Sequence, residues 1–86
     1  MASKDNLYDW VHKALIDNGG SGGIVDVCKH IWKNHERELR EAGDLFFTWQ
    51  YDMRWAGDHL RKARVMKPAN VSPKGLWELA KTTSKK

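Results

Sequence analysis

The sequence predicts a mostly helical α+β fold, with three short helices closed by a C-terminal β-hairpin. Three observations carry this. Apolar residues recur at helical spacing in three successive segments, each ended by Asn, Gly or Asp or by a run of basic residues. After residue 64 the period changes, and short apolar stretches flank a segment holding two prolines and a glycine. Five tryptophans in 86 residues supply the large buried areas that so short a chain needs for a core. A domain takes ~100–200 residues, so residues 1–86 are expected to form one, ordered over about 6–80 with a frayed tail at 81–86.

The first helix is expected over 7–17, where Leu7, Trp10, Val11, Ala14 and Leu15 share one face and Asp5 or Asn6 is placed to cap it. Asn18-Gly19-Gly20 stops it. The stretch 19–23 reads as a tight connection holding at most one short, poorly packed strand, because a single helix of this length cannot fold alone. The second helix is expected over 24–42. Ile24, Val27, Cys28, Ile31, His35 and Leu39 lie on one stripe, with a break near Asn34 and Gly43 as the residue after its cap. Leu45-Phe46-Phe47 then forms an apolar anchor and Thr48 an N-cap. Trp49, Met53, Ala56, Leu60 and Ala63 follow at steps of 4, 3, 4 and 3, which predicts a third helix over 49–63. Gly57 inside it costs up to ~1 kcal/mol against Ala and points to a close packing contact. Val65-Met66-Lys67-Pro68 and Leu76-Trp77-Glu78-Leu79 are expected to pair as a hairpin across a polar, basic loop.

Helix, connection, helix, helix and basic hairpin is the order of a winged helix-turn-helix. Its third helix would leave its outer face free beside the hairpin loop. At 100° per residue, the face opposite the core stripe carries Tyr51, Arg54, Asp58, Arg61 and Lys62, with Gln50 on the flank. A DNA major groove about 12 Å wide accepts one helix, and such helices read bases with their N-terminal residues. Gln50, Tyr51 and Arg54 are therefore the candidates for base edges. Arg61, Lys62, Lys67 and Lys74 are candidates for phosphates, with Thr48 and Asn70 as flanking polar contacts.

Charge distribution agrees with a polyanionic partner. Net charge is +4, but residues 1–43 carry 6 Lys/Arg against 7 Asp/Glu, whereas residues 44–86 carry 9 against 4. Read blandly, the same residues form a solvated helix face and a basic tail, and Asp58 in the middle of that face opposes phosphate.

The stretch Thr48-Trp49-Gln50-Tyr51-Asp52-Met53-Arg54-Trp55-Ala56-Gly57-Asp58-His59-Leu60-Arg61-Lys62-Ala63 resembles the N-terminal domain of Mrr-type restriction endonucleases. That domain carries an aromatic, then Trp-Ala, then Leu-Lys-Lys-Ala, and closes on a Gly-aromatic-x-Leu strand, which Gly75, Leu76, Trp77, Glu78 and Leu79 resemble. The likeness covers about residues 8–80 and is specific over 49–79. It implies a winged-helix fold and a DNA-targeting role in a bacterial restriction-related protein. Tyr51-Asp52 stand where the family often has an Asn-Arg pair. There is no Asp…Glu-x-Lys nuclease triad, since Glu78 is followed by Leu79, Ala80 and Lys81. The resemblance thus implies a targeting module without a nuclease.

Other chemistries find no support in the residues. Cys28 and His30 point to different helix faces, His30 and His35 are spaced i, i+5, His12 and His59 lie elsewhere, and no second cysteine completes a zinc set. The neighbours Asp58 and His59 diverge on a helix, and the 19–23 glycines lack a following Lys-Ser/Thr, so neither an enzyme nor a cofactor or small-molecule substrate is expected. No apolar run reaches the ~18–20 residues of a membrane span, and no secretory leader is visible. The lone cysteine fits a reducing cytoplasm. Trp10, Trp49 and Trp77 are expected in the core, with Trp32 and Trp55 at its edges. The alternative function is a protein-interaction winged helix, an adaptor or homodimer, using the acidic end of helix two, the hairpin, or an apolar patch around Trp32 and Trp55.

Overall fold

The computed structural model describes residues 2–80. The tail expected to fray, 81–86, lies outside the described residues. Helix α1 spans Lys4–Asp17 and buries the expected face, Leu7, Trp10, Val11, Ala14 and Leu15. It starts earlier than its apolar pattern, because its first turn, Lys4-Asp5-Asn6, is polar. Its N-cap is Ser3, not Asp5 or Asn6, and the Ser3 backbone N–H donates to Asn6 Oδ1 at 2.8 Å. At its far end the Gly20 N–H donates to the Leu15 carbonyl at 2.7 Å. Gly19 and Gly20 hold φ of 81° and 107°, a left-handed turn that glycine adopts without strain. That turn delivers the extended strand β1, Ser21–Gly23.

Helix α2, Ile24–Arg40, packs Val27, Ile31 and Leu39 into the core and is kinked at His35 (φ −133°, ψ 19°). The Asn34 side-chain amide donates to the His30 carbonyl at 2.8 Å, inserting a side chain into the helical ladder just before the kink. At the kink itself the His35 ring stacks on Trp10 with centroids 3.8 Å apart, so the kinked residue is pinned to α1. α2 ends at Arg40 with Glu41 as C-cap, two residues before the expected 42. Gly43 takes φ 66° in the turn to α3.

Helix α3 spans Leu45–Lys62, and its start corrects the sequence reading. Leu45-Phe46-Phe47 is its first turn, not a preceding anchor, and Asp44 holds the N-cap position in place of Thr48. Thr48 has the chemistry of a cap, but its hydroxyl donates to Asp52 Oδ2 at 2.7 Å, one turn along the same helix. The buried stripe is Leu45, Trp49, Met53, Ala56, Gly57 and Leu60. Past the C-cap, Ala63, the chain turns at Arg64, which stands at φ 63° where glycine is usual, while the Val65 and Met66 N–H groups both donate to the Leu60 carbonyl (2.9 and 3.1 Å).

The strand β2, Leu76–Glu78, pairs antiparallel with β1, in the register Ser21↔Glu78, Gly22↔Trp77 and Gly23↔Leu76. This too is a correction. The expected partner, 65–68, contributes only one bridge, Met66↔Leu79, flanked by Lys67 N–H to Glu78 carbonyl (2.9 Å) and Ala80 N–H to Val65 carbonyl (2.8 Å). Pro68 has no N–H to donate and ends that ladder. β2 therefore lies between β1 and the Met66 segment, and residues 68–75 form a loop at its open end.

Trp77 fastens the sheet to the helices. It is 5% exposed, and a Cβ placed on Gly57 would lie 2.9 Å from its ring. The glycine inside α3 thus makes room for an indole from the last strand. Leu79 is half-buried against the same core, and Trp10 and Trp49 are buried, with Trp32 and Trp55 packed at its edge. No helix among the described residues is long and apolar enough to cross a membrane.

Candidate nucleic-acid interface

Because α3 buries one stripe, the opposite stripe must face outward. It is made of Phe47, Tyr51, Arg54, Asp58 and Lys62, each a turn from the next and each exposed. From Phe47 to Lys62 it runs about 22 Å at the helical rise per residue. Tyr51 is 79% exposed and Phe47 82%. Arg54 and Lys62 form no ion pair among the described residues, and an Arg54–Asp58 pair is not formed. Lys4 reaches over from α1 to lie 4.5 Å above the Trp55 ring, and with Tyr51, Arg54, Trp55 and Asp58 it borders a shallow depression of ≈ 410 Å³.

The other sequence candidates divide into two groups. Gln50, Asn70 and Lys74 are exposed, Gln50 beside the outward stripe and the other two on the 68–75 loop. Thr48 is exposed but engaged with Asp52. Arg61 and Lys67 are partly engaged within the fold. Arg61 Nε donates to the Lys67 carbonyl at 3.1 Å, and Lys67 Nζ lies 3.8 Å from the Glu78 carboxylate. These contacts hold the base of the loop against the end of α3, and the Glu78 carboxylate offsets part of the Lys67 charge. Ser72, 8% exposed, anchors the middle of the loop, with its Oγ unpartnered.

Two residues of this surface were not singled out by sequence reasoning. Arg64 is exposed at the joint between α3 and the loop; its left-handed backbone carried no glycine signal. Phe47, read as part of a buried anchor, projects into solvent at the start of the outward stripe.

A second surface lies between α2 and α3. Cys28, Lys29, Trp32, Phe46, Trp49 and Gln50 line an apolar groove of ≈ 400 Å³. Trp32 is parallel to Trp49 with centroids 6.1 Å apart, and Arg40 lies 5.2 Å from the Trp32 ring and 5.8 Å from that of Phe46. Burial raises the Cys28 thiol above its ordinary pKa, against the opposing charge of Arg54, so the sulfur stays protonated and is a poor nucleophile at neutral pH. It sits 3.6 Å from the Met53 sulfur.

Three of the four histidines each contact a different partner. His30 Nε2 contacts Asp17 Oδ2 at 2.9 Å, His35 Nδ1 contacts Glu38 at 2.7 Å, and His59 Nδ1 contacts the Trp55 carbonyl at 3.0 Å. The hydrogen bond from Lys13, then that from His30, holds the Asp17 carboxyl below its usual pKa. No group of three or more His, Cys, Asp or Glu among the described residues is placed to hold a metal ion. Compared with protein-family models, curated proteins and solved structures, the chain matches none.

Proposed function

We propose that the chain is a winged-helix module that binds duplex DNA, with α3 in the major groove and the 68–75 loop as the wing. The observation that carries this reading is the outward stripe of α3. It is exposed along its length and carries Arg54 and Lys62 free of internal ion pairs among the described residues. At the C-terminal end of the helix, Arg61 Nε on the Lys67 carbonyl ties it to the base of the 68–75 loop, on which Asn70 and Lys74 are exposed. The chain order α1, β1, α2, α3, β2, with β2 between β1 and the Met66 segment, supports the winged-helix reading.

In this arrangement Gln50 and Arg54 are set to pair with adenine and guanine edges, and Tyr51 packs against the groove wall. Lys62, Arg64 and Lys74 contact phosphates and position the helix. Arg61 and Lys67 act chiefly by fixing the wing to the helix end. A DNA-targeting role like that of Mrr-type N-terminal domains is part of the same proposal, as are a non-enzymatic role and a cytoplasmic setting. Titrating short duplex DNA at several salt concentrations tests it. With about 3–5 phosphates contacted, by Lys62, Arg64 and Lys74 and in part by Arg61 and Lys67, log K should fall against log salt with a slope near −3 to −4. A flat response, or no binding at low salt, overturns it.

A second reading has its own support. Phe47 and Tyr51 are large, exposed and adjacent on α3, as a protein-binding or homodimer surface requires. Concentration-dependent dimerisation lost in Phe47→Ser, without DNA binding, would favour it.

A further inference from the structure

We infer that the apolar groove between α2 and α3 takes one unstacked base of the bound nucleic acid, with its phosphate at Lys29; this rests on the DNA-binding reading above. The groove opens at the N-terminal end of α3, the end that a recognition helix directs at bases. Gln50 belongs both to its wall and to the exposed flank of the reading face, so the two surfaces are continuous.

The lining has the chemistry of a base site. Trp32, Phe46, Trp49 and the protonated Cys28 sulfur give apolar and aromatic walls. Unpaired bases are held chiefly by stacking and apolar contact with such side chains, whatever their sequence. Gln50 brings an amide, a donor and an acceptor, for a base edge. The one charged lining residue is a lysine, no carboxylate lines the groove, and Lys29 has no ion-pair partner among the described residues. The exposed Lys33, one turn along α2 from Lys29, adds positive charge near the rim, whereas Arg40, over the Trp32 and Phe46 rings, is paired with Glu36 at 2.8 Å and adds little. An apolar slot with a cationic margin is complementary to a nucleotide, whose flat face is aromatic and whose backbone is anionic. The volume of ≈ 400 Å³ is ample for a single base.

The test compares two short duplexes, identical except that one carries a single-base bulge. Binding is read by fluorescence anisotropy of labelled DNA and by quenching of the protein's tryptophans, two of which line the groove. The bulged duplex should bind about 10-fold tighter, equivalent to ~1.4 kcal/mol, and should quench more. Phe46→Ala and Lys29→Gln should each remove that preference while leaving the fully paired duplex bound as before. Lys29→Gln is a surface change that keeps the fold, so a folding defect in Phe46→Ala cannot mask the answer. Equal affinity for both duplexes overturns the base site and leaves the duplex-binding reading standing. Absence of binding to either removes both. Tryptophan quenching by an acidic, aromatic-containing peptide but not by the bulged duplex would assign the groove to a protein partner and overturn the inference.

Discussion

The two ends of α3 are built for opposite tasks. Its C-terminal half is gripped by Trp77 against Gly57, by the Arg61 side chain on the Lys67 carbonyl, and by two backbone N–H groups on the Leu60 carbonyl. Its N-terminal half buries Leu45, Trp49 and Met53 and presents Phe47, Gln50 and Tyr51 to solvent, with Arg54 exposed at the helix middle. One helix is thus buried along one stripe throughout, gripped further at its C-terminal end, and offered along its outer face. The proposed DNA-reading role needs this division, because side chains that select a ligand must be held in place by residues that do not touch it.

The largest effect should come from breaking the anchor. Trp77→Ala removes a nearly buried indole from the joint between sheet and helix, and should cost about 3–5 kcal/mol. In so small a domain that is a large share of total stability, so urea unfolding should begin without a native baseline. An unfolding curve matching the parent would show that Trp77 is not the fastening.

Gly57→Ala sharpens the same point, since two effects compete. Helix propensity favours alanine by about 0.8–1 kcal/mol, but the new Cβ would meet the Trp77 ring at 2.9 Å. Overpacking of this kind typically costs about 1–3 kcal/mol, so net destabilisation is expected. In a Trp77→Leu background, where the ring is gone, the same change should be neutral or stabilising. A double-mutant cycle measures the coupling.

At the presenting end, Arg54→Ala should weaken binding to a preferred duplex by roughly 1–3 kcal/mol and leave non-specific binding almost unchanged. Lys74→Ala, on the loop, should weaken all sequences alike and lower the salt slope by about 1. Parallel titrations of the two variants separate reading from positioning. The smallest change lies between the two halves. Arg64→Gly relieves a left-handed backbone at the helix end and should raise stability by ~1 kcal/mol, visible as a higher melting temperature, while removing a cation near the loop.

The anchored half was only partly legible in the sequence, and the reason is distance along the chain. The core stripe of α3 followed from spacing, because Trp49, Met53, Ala56 and Leu60 repeat with the helix itself. That Gly57 marks a close approach was also readable, but not that the neighbour is Trp77. The true partner of β2 is β1, more than fifty residues earlier. No local pattern encodes that pairing, whereas the nearer 65–68 segment carries strand-like residues and then fails at Pro68. Arg61 and Lys67 look like free cations in a list of charges. Their engagement follows from the Arg64 turn, which folds the loop base back onto the helix and has no glycine to announce it. Thr48 misled for the opposite reason: it is a good cap by type, yet Asp52 four residues later offers its hydroxyl a partner within the helix. On the outer face, the exposure of Tyr51 and Arg54 was legible directly, since an outward face is the complement of a core stripe.

On the proposed DNA-binding reading, the outward stripe of α3 and the adjoining loop form one surface that meets DNA. Chemical-shift mapping of the labelled protein during addition of duplex DNA tests it most directly. The expected perturbations fall on Tyr51, Arg54, Lys62 and Lys74 together, and fade as salt is raised. Perturbations confined to residues 36–44, with those four unmoved, would contradict it.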